Sequence, residues 1–289
     1  GNPYAMTFPN IYGHTLWYGE GLVKDGRLQF GFPYPPLSLW LSTLARALVG
    51  DPRYAQLMAT VLAAGFMAWT RGGRLGAGIA ALYLLAPRGF FVLDQSWTEP
   101  FVVLFLSASV FCACRHPRAL PYVFGLLLAV KQYTVFLVPL AWLLLPAPRR
   151  QLWDFAWRAG AVGLGVSLPL VLPDVGAFLR SVVTLQVHQP FRADALSYLA
   201  WWAHQGHPPA PMWVPFAAVA VVLGLCLWRA PRTPAGFAAS TALTYVVFFA
   251  LNKQAFCNYY SFVVGAWCVA VAAARLPQSS TTAPAPDVA

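Results

Sequence analysis

Apolar residues run almost unbroken for about 17 to 20 positions at a time along this chain, the length an α-helix needs to cross a hydrocarbon core of roughly 30 Å. Such runs fall at about 54–70, 75–93, 98–114, 156–172, 212–228, 235–251 and 255–274. The polar stretches between them alternate in character. One set carries arginine: Arg71 and Arg74, Arg115 and Arg118, Arg149, Arg150 and Arg158, Arg229 and Arg232, then Arg275. The other carries most of the acids: Glu20, Asp25, Asp94, Glu99, Asp174 and Asp194. The positive-inside rule places the arginine set in the cytoplasm and the acidic set outside.

That alternation holds only if residues 119–145 (ALPYVFGLLLAVKQYTVFLVPLAWLLL) make an even number of passes between Arg118 and Arg149. Two halves of about 12 residues reach only about 18 Å each at 1.5 Å per residue. The expected form is therefore two short or re-entrant helices with Lys131-Gln132 at the turn, irregular backbone being tolerated at depth where it lines a protein cavity. Residues 37–49 contain Arg46 and are too short to span, which predicts an interfacial or partly dipping helix after the extended Pro33, Pro35 and Pro36. The fold class expected is all-α: a polytopic transmembrane helical bundle with two external loops and a short paired-helix hairpin. Residues 1–53 form the first loop and interfacial helix, 54–275 the transmembrane domain with external loop 173–211, and 276–289 a disordered Ser/Thr/Ala/Pro tail. No internal repeat of the transporter kind is visible.

Composition agrees: 59% of the residues are hydrophobic and 10% charged, against roughly 25% charged in an average soluble domain. The net charge of +10 is spread as ones and twos between apolar runs, so it marks topology and not a nucleic-acid face. Cys112, Cys114, Cys226, Cys257 and Cys268 lie in or beside apolar segments and form neither a disulfide framework nor a metal knuckle. The chain opens on Gly1 in a polar stretch without a leader, which reads as an N-terminal truncation.

Three polar groups converge on the external side in this topology: Asp94 to Glu99 (DQSWTE), Lys131-Gln132-Tyr133, and Asn252 to Tyr260 (NKQAFCNYY). An ionisable residue at membrane depth is costly and marks a site by default, with snorkelling the alternative for Lys131 and more so for Lys253. Glu99 before Pro100 also suits a helix start, and Asp94 reads as a loop residue at the edge of a cavity. Trp17, Tyr18, Trp40, Trp97, Trp201, Trp202, Tyr259 and Tyr260 read mainly as an interfacial belt. His204 and His207 stand in a Gly/Pro-rich loop and make a poor metal pair.

Asn2-Pro3-Tyr4, Tyr34-Pro35-Pro36, the mid-chain lysine between paired short helices, and Asn252 to Tyr260 together resemble the GT-C superfamily of membrane glycosyltransferases, most of all bacterial polyprenol-phosphate-mannose-dependent mannosyltransferases. The resemblance covers roughly residues 1–275. It implies transfer of a hexose such as mannose from a polyprenyl-phosphate donor to an acceptor outside the cytoplasm, at a bacterial plasma membrane. It also implies a main catalytic acid upstream of Gly1. Asp94 and Glu99 are then the carboxylates within the chain, and Lys131, Gln132, Lys253, Gln254, Arg192 and His188 the candidates for the donor phosphate. Membrane lipid and the lipid-linked donor are the expected partners, nucleic acid is not, and no cofactor is evident, though a divalent metal stays open. The alternatives are a transporter or flippase for lipid-linked glycans, and a catalytically silent scaffold.

Overall fold

The computed structural model describes every residue except Tyr12, 14–17, Glu20, Pro209 and 276–289, so the expectations for Trp17, Glu20 and the tail fall outside the described residues. A two-stranded hairpin, β1 (Val23–Lys24) and β2 (Arg27–Leu28), decorates the first loop. The rest is helical: α1 (Pro36–Val49), α2 (Arg53–Arg71), α3 (Gly73–Leu84), α4 (Pro87–Asp94), α5 (Glu99–Arg115), α6 (Leu120–Leu128), α7 (Leu137–Leu140, flanked by 3-10 turns), α8 (Pro148–Val171), α9 (Val175–Leu179), α10 (Leu185–His188), α11 (Tyr198–His204), α12 (Val214–Arg229), α13 (Pro234–Ala250) and α14 (Cys257–Ala273).

A helix that is apolar all round belongs in the middle of a bundle, and α5 takes that place, packed by α2, α6, α13 and α14 with Phe101, Val102, Leu106 and Val110 fully buried. The outer helices instead present large apolar side chains outward, among them Trp69, Leu82, Leu164 and Val221. Water does not tolerate such a girdle, whereas acyl chains do, so the molecule is a transmembrane helical bundle. Small residues let the helices close up. A Cβ added at Gly125 of α6 would stand 2.3 Å from the Ala159 carbonyl of α8, and one at Gly265 of α14 would meet Val103 of α5 at 2.7 Å.

Arg71, Arg115 and Arg275 gather at one end. Arg71 Nε donates to the Ala273 carbonyl (3.2 Å) and Arg115 Nε to the Thr70 carbonyl (3.1 Å), tying the ends of α2, α5 and α14 together. Asp51, Asp94 and Glu99 lie toward the other end, which carries the long loops.

Two expected spans are corrected. Residues 75–93 are not one helix: α3 and α4 meet at a 49° bend, because Pro87 supplies no N–H and holds Ala86 extended (φ −61°, ψ 117°). The run at 156–172 begins earlier, at Pro148, and stays helical through α9 and α10 to His188, 41 residues in all. Asp174 restarts the helix by accepting the Ala177 N–H (2.7 Å), and a wide π turn at Arg180–Thr184 carries it on. The segment expected to leave the bundle at 173 is therefore a helical extension above it.

The 119–145 segment does break near Lys131. Ahead of the break α6 packs on α8; beyond it, the Tyr133 carbonyl accepts the Tyr245 hydroxyl (2.7 Å) and Trp142 lies under Arg232 (5.4 Å). Since α13 runs from Pro234 to Ala250, the second arm descends beside it toward the arginine end. Breaking a helix frees carbonyls, and the first turn of α1 takes them: Leu37 N–H donates to Ala129 (3.2 Å) and the Ser38 hydroxyl to Val130 (2.6 Å). From there α1 crosses to the Asp51–Arg53–Asp94 cluster, so it lies across the loop end and does not descend through the bundle.

Candidate active site

Lys131, extended at the break (φ −151°, ψ 142°), turns its side chain into the bundle, where it is 2% exposed. Its ammonium donates to Glu99 Oε1 at the start of α5, itself 1% exposed. Three tyrosine rings surround the ammonium: Tyr34 at 4.6 Å, Tyr133 at 5.4 Å and Tyr259 at 5.5 Å from the ring centroids. Each ring face is an electrostatic partner worth about 0.5 to 2 kcal/mol when desolvated, which helps offset the cost of holding a cation there. The pocket is therefore built from four separated pieces of chain: the loop before α1, the start of α5, the hairpin turn and the start of α14.

Several buried polar atoms here lack partners: Glu99 Oε2, Gln132 Oε1, the Tyr133 hydroxyl, and Oδ1 of Asn258, the neighbour of Tyr259. Buried polar groups are nearly always satisfied, so a cluster of unsatisfied ones around a fixed ion pair is suited to receive a polar ligand or water. A cavity of about 30 Å³ beside Glu99, lined also by Thr60, Tyr83 and Ser261, has room for water.

The first loop closes the pocket. Tyr4 donates its hydroxyl to the Tyr34 carbonyl (2.9 Å), and Gln132 Nε2 donates to the Pro33 carbonyl (3.2 Å). Ser181 accepts the Gly31 N–H (2.9 Å) and donates to the Tyr4 carbonyl (3.1 Å), pinning the loop to the helical extension. Gly31 is required there, since a Cβ would stand 2.4 Å from the Pro3 carbonyl. Burial pushes the Tyr4 hydroxyl well above its ordinary pKa, so it stays a donor.

The other expected residues form a second group. Lys253 Nζ donates to the carbonyls of Val187 (2.9 Å) and Gln189 (2.6 Å), Gln254 Nε2 to that of Pro190 (2.9 Å), and the Arg192 N–H to that of Lys253 (3.0 Å). Arg192 pairs with Asp194 (2.7 Å), whose carboxyl its hydrogen bond holds below the usual range, and stacks over Phe256 (5.2 Å). Partial burial lowers the Lys253 amine. His188 bonds through Nδ1 to the Thr184 carbonyl (3.0 Å) on an exposed surface. These contacts make residues 187–196 a strap over the α13–α14 turn. Asp94 lies apart, exposed beside Arg53 (3.5 Å). His207 stacks on Trp202 (3.7 Å) and His204 bonds to the Ala193 carbonyl, and among the described residues no three His, Cys, Asp or Glu side chains gather to hold an ion.

Lys253→Met is expected to free the strap. Hydrogen bonds from a charged group contribute about 1.5 to 3 kcal/mol, so amide exchange at Arg192 and Leu196 should rise tenfold or more while α13 and α14 stay protected. Unchanged exchange at both amides would show that Lys253 does not hold the strap.

The sequence left open whether Asp94 or Glu99 would meet Lys131, and the structure brings Glu99; Tyr259, read both with the polar Asn252 to Tyr260 group and with the interfacial belt, turns its ring to Lys131. A signal for part of the cage was that Tyr133 follows Lys131 by two residues and Tyr259 stands next to Asn258.

Fold and pocket together define the class: a polytopic helical membrane protein with a charged, aromatic-walled site closed by a loop at one end. No protein-family model matches the chain, and no curated protein matches it. Two crystal structures of ArnT from Cupriavidus metallidurans share its fold. The one bound to undecaprenyl phosphate superposes with a TM-score of 0.55 at 16% identity, and the apo form with 0.54 at 18%. Each match covers 94% of this chain and 54% of the ArnT chain, so the chain spans about half the length of these structures, and the likeness is one of fold.

Proposed function

We propose that this chain carries the donor site of a membrane glycosyltransferase of the GT-C kind, which takes a sugar from a polyprenyl-phosphate carrier on the non-cytoplasmic side of the membrane. The observation that carries the reading is the buried Lys131–Glu99 pair inside its tyrosine cage, with unpartnered polar atoms beside it. ArnT, a GT-C glycosyltransferase seen with undecaprenyl phosphate, supports it through the shared fold. The orientation is supported by the arginine clusters at the end opposite the pocket. By the resemblance the sugar is a hexose such as mannose and the membrane a bacterial plasma membrane.

In this reading the acceptor hydroxyl attacks the anomeric carbon as the bond from that carbon to the phosphate oxygen breaks, inverting the centre. A carboxylate takes the hydroxyl proton, and the departing phosphate gains negative charge. An ammonium has three donors, and Glu99 Oε1 accepts one, so Lys131 has donors left for a phosphate oxygen that arrives beside the carboxylate. A fixed cation in a dry pocket stabilises that developing charge more than water would. Gln132 Oε1 and Asn258 Oδ1 are open acceptors suited to sugar hydroxyls and the Tyr133 hydroxyl is an open donor, while Lys253, Gln254 and Arg192 hold the strap.

Undecaprenyl phosphate is expected to raise the unfolding temperature of the wild-type protein in detergent. The neutral pair Lys131→Met/Glu99→Leu should fold yet lose that response, and it should release no polyprenyl phosphate from a hexosyl donor. A folded double variant stabilised by undecaprenyl phosphate as strongly as the wild type would overturn the assignment.

A further inference from the structure

At the arginine end, a cavity of about 570 Å³ opens between the α2–α3 turn and the end of α14. That volume falls in the range of roughly 300 to 1,000 Å³ usual for ligand pockets. Arg71 and Arg275 line it together with the small residues Gly72, Gly76, Ala272 and Ala274, which leave the space open. Gly72 and Gly73 both have positive φ (73° and 75°), making a tight turn beneath it.

The arginines there are held but not neutralised. Arg71 and Arg115 each spend their Nε–H on a last-turn carbonyl, which orients the guanidinium and leaves its outer N–H groups available. Among the described residues, Arg71, Arg115 and Arg275 have no carboxylate at ion-pair distance, the pairs being made by Arg53, Lys131, Arg158 and Arg192. All three act electrostatically on the same thiol, that of Cys114, so their charges are concentrated. A lipid-facing side chain adjoins the cavity: Leu75 lines it and is exposed.

We infer that this cavity binds the phosphate head group of an anionic glycerophospholipid, held by Arg71 and Arg275 with its acyl chains along Leu75. Oriented guanidinium forks match phosphate oxygens, and basic pockets between transmembrane helices suit anionic head groups. The apolar margin favours a lipid over free phosphate. The site lies at the opposite end from the tyrosine cage and does not depend on the proposed transfer.

The test reconstitutes the full chain in nanodiscs of phosphatidylcholine with graded phosphatidylglycerol and counts retained lipids by native mass spectrometry. The wild type should retain phosphatidylglycerol in preference to phosphatidylcholine. Arg275→Gln, at a residue that caps no helix, should lower that preference about fivefold, from about 1 kcal/mol per basic residue at an anionic surface. Arg232→Gln, over Trp142 and away from the cavity, should leave it intact. The inference fails if Arg275→Gln retains the preference, if Arg232→Gln loses as much, or if inorganic phosphate abolishes it as readily as added phosphatidylglycerol. It also fails if the preference appears only once residues 276–289 are removed, because the tail would then be the occupant.

Discussion

Replacing Lys131 by Met is expected to destabilise the bundle by about 3 to 5 kcal/mol, the usual cost of leaving one member of a buried ion pair unpaired. Glu99 would be left 1% exposed, with Oε2 already unpartnered and Oε1 newly so. Replacing both members by apolar residues of similar size should restore most of that stability, since such exchanges are often neutral or better. The comparison of single and double variants by thermal unfolding thus measures the pair, and the response to undecaprenyl phosphate measures the site. A wild-type unfolding temperature for Lys131→Met would show that the carboxylate is not dependent on the lysine. A lysine that served only as a phosphate ligand could be replaced without loss of folding; because Lys131 pairs with Glu99, the double variant is the cleaner probe of function.

The second large effect is expected at Gly125. Its added Cβ would meet backbone, the Ala159 carbonyl at 2.3 Å and the Ala159 Cα at 3.1 Å, so no side-chain rotation can relieve the contact. Gly125→Ala should therefore push α6 from α8 and destabilise by about 1 to 3 kcal/mol or more. Because α6 ends at Leu128 and the break that positions Lys131 follows it, the variant should also weaken undecaprenyl phosphate binding. Gly160 provides the control: nothing lies within 4 Å of its added Cβ, so Gly160→Ala should unfold at or above the wild-type temperature. Equal unfolding temperatures for the two alanine variants would contradict the close α6–α8 packing.

These two sites separate what the primary structure dictates from what folding adds. Spans are legible because the bilayer imposes a length: a helix must satisfy its own backbone, and runs such as 98–114 and 235–251 appear as α5 and α13 nearly residue for residue. The hairpin at Lys131 was legible for a related reason, since parity between arginine clusters forbids one crossing between Arg118 and Arg149. The bend at Pro87 was written in the sequence too, but apolarity alone hid it, because a proline does not interrupt a hydropathy run. The helical extension to His188 depended on a cap at Asp174 and a π turn, local features that carry no hydrophobic period.

Which polar residues meet was decided only in three dimensions. Glu99 and Lys131 are 32 positions apart, Tyr34 and Tyr259 far more, and no spacing rule relates them. Burial supplies the reason they come together: in a low-dielectric interior an ammonium must find a carboxylate and ring faces or be expelled toward water, and the crossing helix α1, the hairpin and the α14 start bring those partners to it. The sequence determined that a charge would be buried at this end of a helical bundle; the packing of four distant segments decided what it would touch.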